Sequence, residues 1–121
     1  MSKFAIQQEI YRLQAENRQL KSKISQCQSA IRMLNDIKNK LNDAENEVST
    51  AEIKLLENII NNQPADKGKA SKSKEKIKAS INSIVNFIST LNDAINDYQR
   101  AISNNEAEIS SLTIEYRNSE R

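Results

Sequence analysis

Two rows of apolar residues, each advancing by alternating steps of four and three, run through most of the chain. In the first, Ile6, Ile10, Leu13, Leu20, Ile24, Cys27, Ile31 and Leu34 mark one face, with Asn17 filling the single gap. In the second, Ile77, Ile81, Ile84, Ile88, Leu91, Ile95, Tyr98, Ile102, Asn105, Ile109, Leu112 and Tyr116 keep the same alternation. A repeat averaging three and a half residues belongs to a helix whose apolar stripe packs along another helix. The rows predict one helix over about 3–62 and a second over about 70–118. At 1.5 Å per residue these would be roughly 85–90 Å and about 70 Å long.

The first row takes two successive three-residue steps, Ile31 to Leu34 to Ile37, before continuing at Leu41, Ala44, Val48, Ala51 and Leu55. A step of this kind is a stammer, which overwinds a coiled coil locally and predicts a change of curvature or partner near Leu34–Ile37. Further on, Ile53, Leu56 and Ile60 widen the stripe beyond what one neighbour covers, and Val85 and Phe87 lie beside the second row. These five residues are the candidate interface for another molecule, because bulky apolar surface left in water favours association. Lys and Glu stems lying over the stripes would be the alternative cover.

Pro64 and Gly68 are the only proline and the only glycine in 121 residues, and they stand between the two rows. Proline cannot continue a helix and glycine tolerates left-handed backbone angles, so residues 63–69 are the predicted reversal. The fold class expected is all-α. One domain, residues 1–121, would form a long antiparallel helical hairpin, a two-helix coiled coil that completes a multi-helix bundle with a partner. Doubling back at this turn sets Leu55 near Ile77, Val48 near Ile84, Leu41 near Leu91 and Ile31 near Ile102. Charge supports the antiparallel sense, since the lysines from Lys67 to Lys78 would lie along Asp43, Glu45, Glu47, Glu52 and Glu57. Asn17 and Asn105 are polar residues in apolar rows, which reads first as a device that fixes register at some cost in stability and second as a place to meet a polar group of a partner protein. In this register they do not meet, because Asn105 falls near Cys27 and Asn17 near Tyr116.

Composition removes several functional classes. Aromatic residues make up 4% of the chain and tryptophan is absent, so no base-stacking platform is present. The 18 basic residues are nearly balanced by 16 acidic ones, giving a net charge of +2, far from the basic excess of a nucleic-acid binder. With no histidine, no phosphate-cradling glycine loop and no nucleophile elbow, the chain reads as a non-enzyme without cofactor or metal. The lone Cys27 sits on the seam, where a small buried hydrophobe explains it better than a nucleophile lacking a base. No apolar run is long enough to span a membrane or to form a secretory signal core, so the expectation is a chain made in the cytoplasm, exported, if at all, by a route that needs no cleaved signal.

The turn also carries a resemblance. Asp66-Lys67-Gly68-Lys69-Ala70 has the spacing of the Trp-x-Gly-x-Ala turn of small type VII-secreted helical hairpins, the WxG-type proteins, with Asp66 at the tryptophan position. It resembles more closely the small helical partners of type VII-exported LXG toxins, in which that tryptophan is often missing. Tyr116-Arg117-Asn118-Ser119-Glu120 is similar to the Tyr-x-x-x-Asp/Glu export motif near the end of the second helix in such proteins. The resemblance implies an adaptor that binds the helical N-terminal region of a larger exported protein, with a second small helical partner as a further option and self-association when alone. Pro64, Asp66, Gly68 and Ala70 would form the turn, and Tyr116 and Glu120 the export signal. Two other classes remain open. A self-assembling homodimeric scaffold would be a sharp, stable dimer from the start. Polyanion binding through Lys67–Lys78 would collapse with added salt and would require Lys72, Lys74 and Lys76.

Overall fold

The computed structural model describes the backbone of residues 1–61 and 67–119 and the side chains of residues 1–57 and 72–119. Two helices, α1 (Lys3–Asn61) and α2 (Lys67–Asn118), account for nearly all of it and pack against each other as a helical hairpin. Each helix is held at its outer end by a serine. The Ala5 amide donates to Ser2 Oγ at 3.1 Å, which satisfies one of the amides a helix start leaves unpaired. At the far end, the Ser119 amide donates to the Glu115 carbonyl at 3.0 Å and its hydroxyl donates to the same oxygen at 2.8 Å.

The expected reversal lies partly outside the described residues, which exclude Pro64 and Asp66. Helix α2 begins at Lys67, three residues before the expected start, so Gly68 and Ala70 stand in its first turn. No described glycine has a positive φ, so Gly68 does not act through left-handed geometry. In a first turn glycine costs little, since the amides there have no intrahelical acceptor in any case.

Contacts divide the chain into two units. The first joins Met1–Ser29 with Thr90–Arg121. Its core is built on Ile6, Leu13 and Leu112, with Ile10, Ile109 and Tyr116 packed against them. Leu20, Ile95 and Ile102 are buried in the same unit. Burying a side chain of this size is worth about 1.5–3 kcal/mol, so these layers hold the unit's two helical segments together.

The second unit, Ala30–Ser89, has a different interior. Leu41, Val48, Leu55, Ile77, Ile81, Ile84 and Ile88 are half-buried, and none of its described side chains is fully buried. Half-burial along α1 continues at Lys38, Leu41, Glu45, Val48, Glu52 and Leu55, an unbroken alternation of threes and fours. The stammer expected from Ile37 is therefore not present. Ile37 is 45% exposed, and Lys38 takes the seam position in its place. The physical reason is geometric: α2 presents a regular row, and α1 meets it with whichever residues the repeat supplies, laying charged stems along the seam with their heads outward.

This difference in packing predicts a difference in mutational cost. Leu13→Ala removes a side chain that is 1% exposed and should destabilise the protein by about 2–5 kcal/mol in chemical denaturation. Leu41→Ala, at a half-buried position of the other unit, should cost distinctly less.

Candidate functional site

Asn17 is 7% exposed, the only buried polar side chain among the described residues. An amide enclosed by apolar neighbours must find a partner or lose its hydration uncompensated. Asn105, half-buried on α2, supplies it: Asn105 Nδ2 donates to Asn17 Oδ1 at 2.9 Å. The two seam asparagines thus face each other, contrary to the register in which Asn105 meets Cys27. The true register is displaced by ten residues along α1, about 15 Å. Folding the chain symmetrically about residues 64–68 ignores the asparagine match, and leaving two amides buried against apolar groups would cost more than an asymmetric connection does.

Other contacts agree with this register inside each unit. The Lys3 ammonium lies 4.6 Å from the Tyr116 ring centroid and Lys23 lies 5.8 Å from that of Tyr98, both within reach of cation-π attraction. In the second unit Lys78 Nζ stands 3.8 Å from Glu45 Oε1, one of the pairings between the lysine-rich start of α2 and the acids of α1. Such a partly exposed pair is worth ~0–1 kcal/mol, and its role is orientation.

On one side of the first unit Arg12 is surrounded by carboxylates. Its Nε donates to both Glu9 oxygens at 3.1 and 3.0 Å, and its Nη1 donates to Glu16 at 3.3 Å. The hydrogen bond from Arg12 holds the Glu9 carboxyl below its ordinary value of 4.5. The same bond raises Arg12 further above its usual range, with the charges of Glu16 and of Glu108 on α2 adding to it. No grouping of three or more potential metal ligands exists among the described residues, and no helix searched is long and apolar enough to cross a membrane.

The candidate interface residues do stand in solvent. Ile53, Leu56, Val85 and Phe87 are all exposed, Ile53 at 57% and Phe87 at 53%, while the side chain of Ile60 lies outside the described residues. They do not form one surface. Ile53 and Leu56, three apart, share a face of α1, but Val85 and Phe87, two apart, point to opposite flanks of α2. The spacing rule that separates them was available in the sequence. Phe4, Tyr11, Met33, Ile37 and Ile114 are further exposed apolar residues; pattern reading places Ile37 in the seam, so its exposure is missed.

Of the two candidate export residues, Tyr116 is half-buried, packs on the Ile6, Leu13 and Leu112 cluster, and carries Lys3 over its ring. Glu120 lies outside the described residues. The tyrosine is therefore a core residue of its unit, whatever further role its hydroxyl has. Cys27 is half-buried and unpaired in any disulfide, in keeping with its place on the seam.

Two measurements follow from the polar contacts. Replacing Asn105 alone by Leu should cost about 1–3 kcal/mol in denaturant titration, because the Asn17 amide is left enclosed without a partner, whereas the double Leu variant should recover that loss. Glu9 titrates below its unfolded value, so its pairing stabilises the fold above pH 4.5 and is lost as the pH falls further. The melting temperature of wild type should exceed that of Glu9→Gln at pH 7, and the gap should close in acid.

No protein-family model matches the chain, and neither the curated proteins nor the solved structures contain a match to it.

Proposed function

We propose that this chain is a non-enzymatic adaptor that binds helical segments of a larger protein, and that the larger protein is a type VII-exported toxin or effector. The observation that carries the adaptor reading is the set of bulky apolar side chains left in solvent beside a working helical seam, Ile53 and Leu56 on α1 and Val85 and Phe87 on α2. Exposed apolar surface of this kind favours association with other apolar surface. The type VII assignment rests on the short turn and tail motifs, Asp66-Lys67-Gly68-Lys69-Ala70 and Tyr116 to Glu120. In this reading the chain covers the cargo's apolar stripe, while Tyr116 and Glu120 contribute to a signal read by the secretion machinery. Because Tyr116 also packs in the core, Tyr116→Phe is the variant that separates the roles: it keeps the ring and removes the hydroxyl.

Co-expression with a cargo bearing a helical N-terminal region should give a stable complex, with higher helicity and melting temperature than the chain alone. Export of that cargo should fall with Glu120→Gln or Tyr116→Phe while the complex persists. A chain that purifies as a sharp, stable homodimer and gains nothing from any such cargo would contradict the adaptor reading. Unchanged export by both tail variants would remove the signal from it.

A further inference from the structure

Beside the amide pair, within the unit formed by Met1–Ser29 and Thr90–Arg121, α1 and α2 line an open groove of about 460 Å³. That lies within the ~300–1,000 Å³ of small-ligand sites. One wall is α1, which contributes Gln14, Asn17, Arg18 and Lys21; the other is α2, which contributes Glu106 and Ile109. All four α1 residues carry side-chain N–H donors, and two of them are cations. Asn17 is the fixed point. Its Oδ1 accepts from Asn105, and its Nδ2 has no acceptor among the described residues. Among those residues, however, every side-chain nitrogen and oxygen out of reach of solvent has a partner. Nδ2 therefore reaches open space, and the open space that Asn17 lines is the groove. A side chain only 7% exposed thus turns its unengaged amide hydrogens into the groove. Beside it, Arg18 and Lys21 make no ion pair with a described residue, nor does Glu106 on the facing wall. Arg12, by contrast, is committed to Glu9 and Glu16. Two cations against one carboxylate leave the groove a single net positive charge.

We infer that this groove binds one carboxylate, held by the Asn17 amide, the Arg18 guanidinium and the Lys21 ammonium on the α1 wall, with the ligand's apolar stem meeting Ile109. Hydrogen bonds from charged donors are the stronger kind, and an arginine fork matches the two oxygens of a carboxylate. Charge and shape select this group over the other common anions. One negative charge balances the groove, whereas a phosphate dianion overfills it and is repelled by Glu106. Chloride has the charge but offers one atom to three separate donors. The seam amide then serves twice: its oxygen fixes the alignment of the helices and its nitrogen meets the ligand. The groove is formed by residues other than Ile53, Leu56, Val85 and Phe87, so the inference does not rest on the adaptor reading.

The test follows the Asn17 side-chain amide resonances of the full chain, labelled with nitrogen-15, during titration at constant ionic strength. The probes are sodium acetate, sodium phosphate, sodium chloride, and a capped alanine-rich peptide bearing one Glu, with its Gln counterpart as control. Acetate and the Glu peptide should shift the Asn17 amide saturably at millimolar concentrations, while chloride and the Gln peptide should not. Replacing Arg18 and Lys21 together by Gln should weaken binding about tenfold or more. Glu106→Gln removes the opposing charge and should tighten it a few-fold, whereas Lys40→Gln, at an exposed lysine of the other unit, should leave it unchanged. Circular dichroism of each variant, expected to match wild type, confirms that these surface substitutions leave the helices formed. Tighter binding of the Glu peptide than of acetate would name a protein side chain as the source of the carboxylate; equal binding would name a free acid. No saturable shift with either, an equal response to chloride or phosphate, or indifference to the loss of Arg18 and Lys21 would overturn the inference. So would a shift produced merely by concentrating the protein, which would assign the groove to a second copy.

Discussion

A single amide pair, one member buried and the other half-buried, determines how the two helices of this protein meet. Apolar seams are permissive: leucines and isoleucines slide past one another at heptad intervals with little change in area removed from water. An asparagine in such a seam is not permissive, because it must find a partner or forfeit a hydrogen bond. Here the amide of Asn105 meets that of Asn17, and the layers around them follow at fixed offsets, including the Ile6, Leu13 and Leu112 core. The pair contributes little net stability compared with two leucines, and its effect is to exclude the neighbouring alignments.

With that alignment fixed, the amino-acid identities determine how well each unit is sealed. The unit of Met1–Ser29 and Thr90–Arg121 finds isoleucine and leucine at nearly every layer, and all of the buried apolar residues among those described belong to it. The unit of Ala30–Ser89 finds Lys38, Glu45 and Glu52 in its seam and has no described side chain fully buried. Stability within a protein is not uniform, and segments with little buried apolar surface open first and accommodate ligands most readily.

The all-helical fold was legible because the second row, from Ile77 to Tyr116, is regular throughout and leaves no other reading. The register was not legible from the position of the turn, since a connection need not be symmetric about its proline and glycine. The match of Asn17 to Asn105 was in the sequence and carried the answer. The stretch around Ile37 misleads for a related reason: apolar identity suggests a three-residue step, while the helix keeps its spacing and places Lys38 inward. Exposure at Ile53, Leu56, Val85 and Phe87 could be read from the pattern, but their division among different faces depends on angular position around each helix, which a list of apolar residues does not record. Tyr116 shows the limit of a short motif, because the same side chain satisfies a tail pattern and fills a core layer.

The placement of faces, layers and charge pairs described above depends on the alignment of the two helices. Side-chain nuclear Overhauser effects in the isotopically labelled full-length protein report it without any substitution. The account predicts cross-peaks between the Asn105 side-chain amide protons and the β-protons of Asn17. Cross-peaks from that amide to the β-protons of Cys27 instead, with none to Asn17, would contradict it.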